Sequence, residues 1–423
     1  MKRITFIFFL LALIIGCTPN TVTPISTIPF DTSTPVATNT IASSPTPPPD
    51  DKCIEINSGD LDELNLAGTI VLEDIYYRAY TINSNTFEKV ELVKENELVF
   101  SVAVSPDRKW TAYQLYLKSN DSHKLVIMNS LGLPQITIPW GEDWSYISSW
   151  LDNQRLLINV YDKLSDGHPE LAAKEFSTFL VVNPFTGKQE LLQPDFPNIY
   201  SHHMFPAWSG FGSTVYNPTL DRVVYLRADA LGADSHYVLW NMNEQRHLAD
   251  FKVFVGYQDI PRWSPDGRKF AIAMSLFDDV SNDWPIYSLY SVSREGEVVK
   301  LTDLSKYYPW FYIGQHSWSP EGRYVAFWFS GWTERPQALN LVIDQFLAVV
   351  DTTNDDLSIY CISGKPQLSG IVSPPVWSPD GQQILVESPL PDEHGQVLLL
   401  DLNRNVIAEI GRDMTPVGWM IEP

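Results

Sequence analysis

The sequence predicts an all-β fold, a seven-bladed β-propeller closed by pairing of its C-terminal strand with the N-terminal blade. Three observations predict it. A turn of the form W-S-P-D-G followed by an apolar strand recurs, as in RWSPDGRKFAIAM (Arg262–Met274), SWSPEGRYVAFWF (Ser317–Phe329) and VWSPDGQQILVES (Val376–Ser388). The recurrences are spaced like propeller blades. The two ends of the chain are incomplete in complementary ways.

Each copy is a short strand, a tight turn and a second strand. Pro presets φ at the turn and Gly supplies φ > 0. Weaker copies are AVSPDRKWTAYQL (Ala103–Leu115), SWLDNQRLLINV (Ser149–Val160), VYNPTLDRVVYL (Val215–Leu226) and a truncated GWMIEP (Gly418–Pro423). The tryptophan position falls at 104, 150, 216, 263, 318, 377 and 419, giving gaps of 46, 66, 47, 55, 59 and 42 residues. A period of this size with about four strands per unit marks a propeller. The copy at Tyr216 competes with Ala207-Trp208-Ser209 as the start of the fourth unit, so six or eight blades stay open as alternatives. The repeated Trp and Asp-Gly read as structural: the ring packs between blades and the dipeptide sets the turn.

The first strands, Thr69–Glu73, Arg78–Ile82 and Lys89–Val93, have no inner strand of their own before Gly68. The last, Pro416–Ile421, is an inner strand with no blade after it. Pairing the two closes the ring and removes an exposed edge. The intervening blades are expected at about 98–139, 144–192, 204–250, 257–302, 311–362 and 371–410.

The W-S-P-D-G repeat resembles the WD-like repeats of TolB-type β-propellers, over most of residues 68–421. Similar repeats occur in the propellers of prolyl oligopeptidases and in oligogalacturonate lyases, which hold a metal with His and Gln in their channel. The His/Gln spacing of those lyases is not found here. Nor are a G-x-S-x-G elbow with a second α/β domain, a phosphate loop, C-x-x-C or H-E-x-x-H.

The N-terminus reads as a lipoprotein signal, residues 1–16. Met1-Lys2-Arg3 is basic and Ile4–Ile15 is an apolar run of twelve residues. That is short of the ~20 needed to span a bilayer, but it suits a signal peptide. Ile14-Ile15-Gly16-Cys17 looks like a bacterial lipobox, which implies cleavage before Cys17 and lipidation there; an ordinary secretory signal with a chance Cys is the alternative. Several acyl chains on one residue anchor stably. Residues 17–50 then form a Thr/Pro/Ser-rich linker, with eight Pro and no Lys or Arg over Thr18–Asp50. Such a segment cannot bury a core and is expected to be disordered. Residues 51–67 lead into the propeller of residues 68–423.

Processing would remove Lys2 and Arg3, leaving 27 basic residues against 51 acidic, a net charge of −24. That argues against nucleic acid and other polyanions as partners. Cys53 and Cys361 are the remaining thiols. Outside the cytoplasm they could pair as a disulfide; two separately buried thiols are the alternative.

With strands lettered A to D from the inside of each blade, the long connections are Tyr161–Phe176, Gln193–Met204, Leu276–Pro285, Asp303–Trp310 and Ser330–Asp344. All are B–C loops or D–A links of blades three to six, and both loop types emerge on one face. Insertions confined to one face of a repeat array mark a binding face. Three groups on it are candidates. Trp284, Tyr307, Tyr308, Trp310 and Trp332 offer aromatic faces for sugar rings or a protein partner, or else fold inward over the core. His202, His203, His236 and His316, with Gln315, could reach a transition metal at the channel mouth. Asp278, Asp279 and Asp283 are weak Ca²⁺ candidates without the D-x-D-x-D-G spacing. Loop histidines without metal and a solvated acidic loop are the plainer readings of these last two.

The expectation is a monomeric, membrane-anchored extracytoplasmic propeller without cofactor, on the outer side of a bacterial membrane. It would bind a protein, peptide or glycan through the loop face of blades three to six. The alternative is a metal-dependent polysaccharide lyase or hydrolase with its site at the channel mouth.

Overall fold

Alternating apolar strands and short turns fold the chain into seven antiparallel sheets of four propeller strands each. The computed structural model describes residues 54–61, 64, 66, 68–74, 76–83, 86–140, 145–160, 179–192, 214–227, 235–253, 260–274, 288–308, 310–332, 345–361, 373–390 and 393–421. All belong to one compact unit, Ser44–Pro423.

Two short strands, β1 (Ile54–Glu55) and β2 (Asn57–Ser58), precede the ring. Blade one takes β3 (Thr69–Asp74), β4 (Ala79–Asn83) and β5 (Lys89–Glu91). Blade two is β6 (Glu97–Val104), β7 (Trp110–Leu117), β8 (Ser122–Asn129) and β9 (Pro134–Trp140). Blade three is β10 (Ser145–Trp150), β11 (Leu156–Val160), β12 (Phe179–Asn183) and β13 (Lys188–Leu192). Blade four is β14 (Thr214–Tyr216), β15 (Arg222–Arg227), β16 (Ser235–Asn241) and β17 (Arg246–Val253). Blade five is β18 (Arg262–Trp263), β19 (Lys269–Met274), β20 (Ser288–Ser293) and β21 (Val298–Lys300). Blade six is β22 (Trp310–Trp318), β23 (Tyr324–Trp332), β24 (Gln345–Asp351) and β25 (Leu357–Cys361). Blade seven is β26 (Val376–Trp377), β27 (Gln383–Leu390), β28 (Glu393–Asp401) and β29 (Val406–Arg412).

The final strand, β30 (Met414–Met420), is the inner strand of blade one and pairs antiparallel with β3, Ile70 opposite Trp419. The tail therefore closes the ring as the sequence leads one to expect. The apolar core shows the same closure. Seven buried clusters each join two neighbouring blades, from Val71 and Tyr113 between blades one and two to Leu385 and Ile70 between blades seven and one.

The recurring tryptophan has one repeated job. Its indole Nε1 donates to the carbonyl of the residue before the corresponding position in the preceding blade: Trp150 to Ala103 (3.0 Å), Trp263 to Val215 (3.1 Å), Trp318 to Arg262 (2.8 Å) and Trp377 to Ser317 (3.4 Å). Tyr216 holds this position in blade four and packs edge-on against Phe179, 5.1 Å away. Its buried hydroxyl has no hydrogen-bond partner among the described residues. The rival start at 207–209 lies outside the described residues. Because the bond joins blades rather than strands, Trp318→Phe is expected to cost about 2 kcal/mol through a lost bond and a small void, read as a lower urea midpoint with unchanged m.

Each W-S-P-D-G turn is closed by its own side chains. In blade five, Ser264 Oγ donates to Asp266 Oδ1 (2.7 Å), and Asp266 accepts from Arg268 N (3.1 Å). Gly267 then takes φ 67°, as Gly322 (72°) and Gly381 (71°) do in their copies. In the degenerate copies this left-handed position is filled by Arg108 and Leu220, both at φ 61°.

The lead-in segment does more than enter the ring. β1 pairs parallel with β25, Ile54 opposite Tyr360 and Glu55 opposite Cys361. β2 pairs parallel with β29, Asn57 opposite Val406. Five residues thus strap the outer edges of blades six and seven, covering two edges that would otherwise be open.

Candidate binding face

Strict antiparallel order within every blade sends the A–B and C–D turns to one end of the ring and the B–C loops and D–A links to the other. The long segments therefore share a face. Trp284, His202, His203, Asp278, Asp279, Asp283, Cys17 and Cys53 lie outside the described residues.

Tyr307 and Tyr308 follow a single 3-10 turn, Leu304–Lys306, whose Leu304 is fully buried. Both rings turn inward, half-buried against the core between blades five and six. Tyr308 lies 5.8 Å from Phe329 and 5.8 Å from Phe346. They cover the seam, the second of the two readings offered for them above. The backbones of Trp310 and Trp332 are directly paired at the loop-face ends of β22 and β23.

His316 is 0% exposed, and its Nε2 lies 3.1 Å from the carbonyl of Ala271 in blade five. A register shift in β22 between Ile313 and His316 aims the ring into the seam. Its neighbour Gln315 instead accepts from Arg262 Nη2, at 3.0 Å. His236 stands in β16 opposite Lys252. Among the described residues, no three His, Cys, Asp or Glu side chains are grouped so as to hold a metal ion.

The same face carries a group on blades one and two that sequence reasoning missed. Asp74, at the end of β3, is buried at 8% exposure and accepts four bonds: Tyr76 N (2.9 Å), Arg78 N (2.9 Å), Arg78 Nε (2.8 Å) and Tyr80 Oη (3.0 Å). Burial pushes its carboxyl up, but the bonds from Arg78, Tyr80 and Tyr76 outweigh this and hold it below the usual range. The loop it organises presents Tyr76 and Tyr77, 63% and 52% exposed. Behind Tyr77 stands Phe100 of β6 (5.5 Å), with Tyr116 of β7 5.9 Å further on. His123 of β8 lies 4.9 Å from Tyr116. The available signal was Asp74-Ile75-Tyr76-Tyr77-Arg78, two tyrosines in a loop beginning with a capping carboxylate.

Seven four-stranded sheets closed into a ring, with inner strands linked by a repeated tryptophan and W-S-P-D-G turns at one end, define a seven-bladed β-propeller whose repeat resembles those of TolB-type propellers. No family model matches the chain, and no curated protein matches it. Among solved structures it is similar in fold to the uncharacterized protein lmo1340 from Listeria monocytogenes EGD-e, at 10% identity, covering 87% of this chain and 98% of that one with a TM-score of 0.47. An oligogalacturonate lyase in complex with manganese aligns at 9% identity over 82% of this chain and 84% of that one, TM-score 0.47. TolB from Acinetobacter baumannii aligns at 12% identity over 83% of this chain and 66% of that one, TM-score 0.38, so the chain spans just under two thirds of TolB's length.

Proposed function

We propose that this chain is a lipid-anchored, extracytoplasmic binding module without catalytic activity, engaging a protein, peptide or glycan through the loop face of blades three to six. One observation carries the reading: connection length is concentrated on that face of those blades. Eighteen residues separate β11 from β12, 21 separate β13 from β14, 13 separate β19 from β20 and 12 separate β23 from β24. The corresponding B–C connections of blades two and seven have four and two residues. Insertions gathered on one face of a repeat array mark a binding face. Lipid on Cys17 and the Pro-rich linker, extending roughly 3 Å per residue, would hold this face away from the membrane.

The metal-dependent lyase or hydrolase reading needs His316 at the channel mouth, and the ring lies within the seam of blades five and six, against the Ala271 carbonyl. The test is crosslinking and pulldown from intact cells, comparing wild type with Trp310→Ala/Trp332→Ala. The expected result is loss of the captured partner in the double variant with the thermal unfolding midpoint unchanged. An unchanged partner set and unchanged glycan-array signal would remove blades three to six as the binding face.

A further inference from the structure

The loop of blade one is built at a conformational cost. Tyr77 has φ 61°, a region that a bulky side chain rarely adopts and that glycine would occupy freely. The conformation is over-determined by its surroundings. Tyr77 N donates to Asp74 O (3.0 Å), its carbonyl accepts from Val99 N of blade two (2.7 Å), and Asp74 clamps both neighbours. Nine other described non-glycine residues, Phe87 and Arg108 among them, share the left-handed conformation, so at Tyr77 it holds the loop in place rather than marking a site by itself. The result is two largely exposed rings fixed above a buried carboxylate.

The surroundings of these rings are specific. Among the described residues, the other large apolar side chains that stand well exposed are Val90, Leu131, Leu133, Phe185, Leu191, Val298 and Val299. Those lie on outer strands or C–D turns, Leu191 at the loop-face end of β13. Among the described residues, Tyr76 and Tyr77 bring exposed aromatic rings to that face, each with a polar tip. The Arg78 guanidinium sits 5.5 Å from the Tyr76 ring centre and is paired with Asp74 at 2.7 Å, so hydrogen-bonding edges flank the rings without a net charge. The Tyr116 hydroxyl donates to Asp121 at 2.8 Å, extending the polar border.

From this geometry we infer that the Tyr76–Tyr77–Arg78 platform, backed by Phe100, is a stacking subsite for the pyranose rings of a neutral glycan. Two exposed aromatic rings edged by paired donors and acceptors match a sugar ring with apolar C–H faces and equatorial hydroxyls. A nucleic-acid base would stack as well, but single-strand binders add a cationic groove, and this chain carries a net charge of −22. The same charge disfavours uronate or phosphate polymers. A protein partner would draw on the same two rings, and its capture is scored in the test below. The inference deepens the binding reading by naming a ligand class, and it uses blades one and two, so the two can fail separately.

The test is affinity electrophoresis of the detergent-solubilised full-length protein in gels containing hydroxyethyl cellulose, mixed-linkage β-glucan or galactomannan, with polygalacturonate as the anionic comparator. Retardation by at least one neutral polymer is expected, weakened about tenfold or more in Tyr76→Ala/Tyr77→Ala, the loss typical of a truncated aromatic anchor. Tyr77→Gly provides the folding control: it should bind as poorly while its thermal midpoint stays level or rises. Trp310→Ala/Trp332→Ala should be retarded like wild type even where it loses a pulled-down partner. No retardation in any neutral gel, retardation by polygalacturonate alone, or full retardation of the double tyrosine variant would each overturn the subsite. So would a protein partner whose capture depends on Tyr76 and Tyr77.

Discussion

Arg108→Ala is expected to destabilise the propeller by about 3 kcal/mol, the loss of two charge-assisted hydrogen bonds to buried carbonyls. Arg108 occupies the glycine position of the blade-two turn at φ 61°, and the reason is its guanidinium. Nη1 donates to Trp377 O of blade seven (2.5 Å) and, at 3.4 Å, to Trp419 O of blade one. Its own carbonyl accepts from Ile421 N (3.0 Å). One residue thus ties together three consecutive blades where the chain's tail closes the ring. Burial lowers its pKa to about 10, with Asp380 and Glu321 acting the other way, so it stays charged at neutral pH. The decisive comparison is Arg108→Gly. Glycine loses the same bonds but escapes the left-handed penalty of about 1–2 kcal/mol, so it should be the more stable of the two variants. Urea denaturation at pH 7 measures both. An alanine variant within about 0.5 kcal/mol of wild type, the range of ordinary surface substitutions, would show that closure does not depend on this side chain.

The residues that make the ring were legible because the same chemistry repeats. Seven tryptophan-equivalent positions at blade-like intervals located every inner strand, including the one where Tyr216 breaks the pattern. The strap was not legible. Ile54-Glu55-Ile56-Asn57-Ser58 is too short to carry a period, and only the free edges of β25 and β29 make it a pair of strands. The binding face was readable as a face, since antiparallel alternation dictates which connections share it. Individual side chains on it were not. Tyr307 and Tyr308 sit in a long link and yet pack inward, because the buried Leu304 draws their turn into the seam. His316 is turned by an irregularity in β22, and a bulge changes which way every later side chain points. Tyr76 and Tyr77 do not stand out in the sequence because their loop is short. Their exposure follows from a buried carboxylate capping the loop, a tertiary fact with no signature in length or hydropathy.

Glu73→Gln is expected to make the protein more stable above neutral pH by about 2–3 kcal/mol and to leave it nearly unchanged below pH 4.5. Along β3, Ile70 and Leu72 pack toward blade seven and Val71 toward blade two. Strand alternation gives Glu73 the face of Val71, so its carboxyl enters the seam between blades one and two. Burial there, and then the neighbouring Asp74 charge, push its pKa up from 4.5 to about 7. A carboxyl whose folded value lies above its unfolded value binds its proton more tightly in the native state. The folded state is therefore favoured most below the unfolded value of 4.5, and stability is lost as pH rises from 4.5 through about 7, levelling off above. At 1.36 kcal/mol per pKa unit, a rise from 4.5 to about 7 sets the scale of that loss. Other displaced groups, among them Glu387, which burial pushes up against bonds from Ser373 and Thr415, titrate in both proteins. The quantity to measure is thus the difference between wild type and Glu73→Gln in urea stability at pH 4, 6 and 8.5. It should be near zero at the first, intermediate at the second and largest at the third. A difference that stays flat across this range would mean that Glu73 meets solvent in the folded ring. Because Asp74 adjoins it and clamps the Tyr76–Tyr77 loop, ionisation of Glu73 also places a second negative charge beside that clamping carboxylate. The same pH series run on glycan retardation would then show whether the seam and the binding face titrate together.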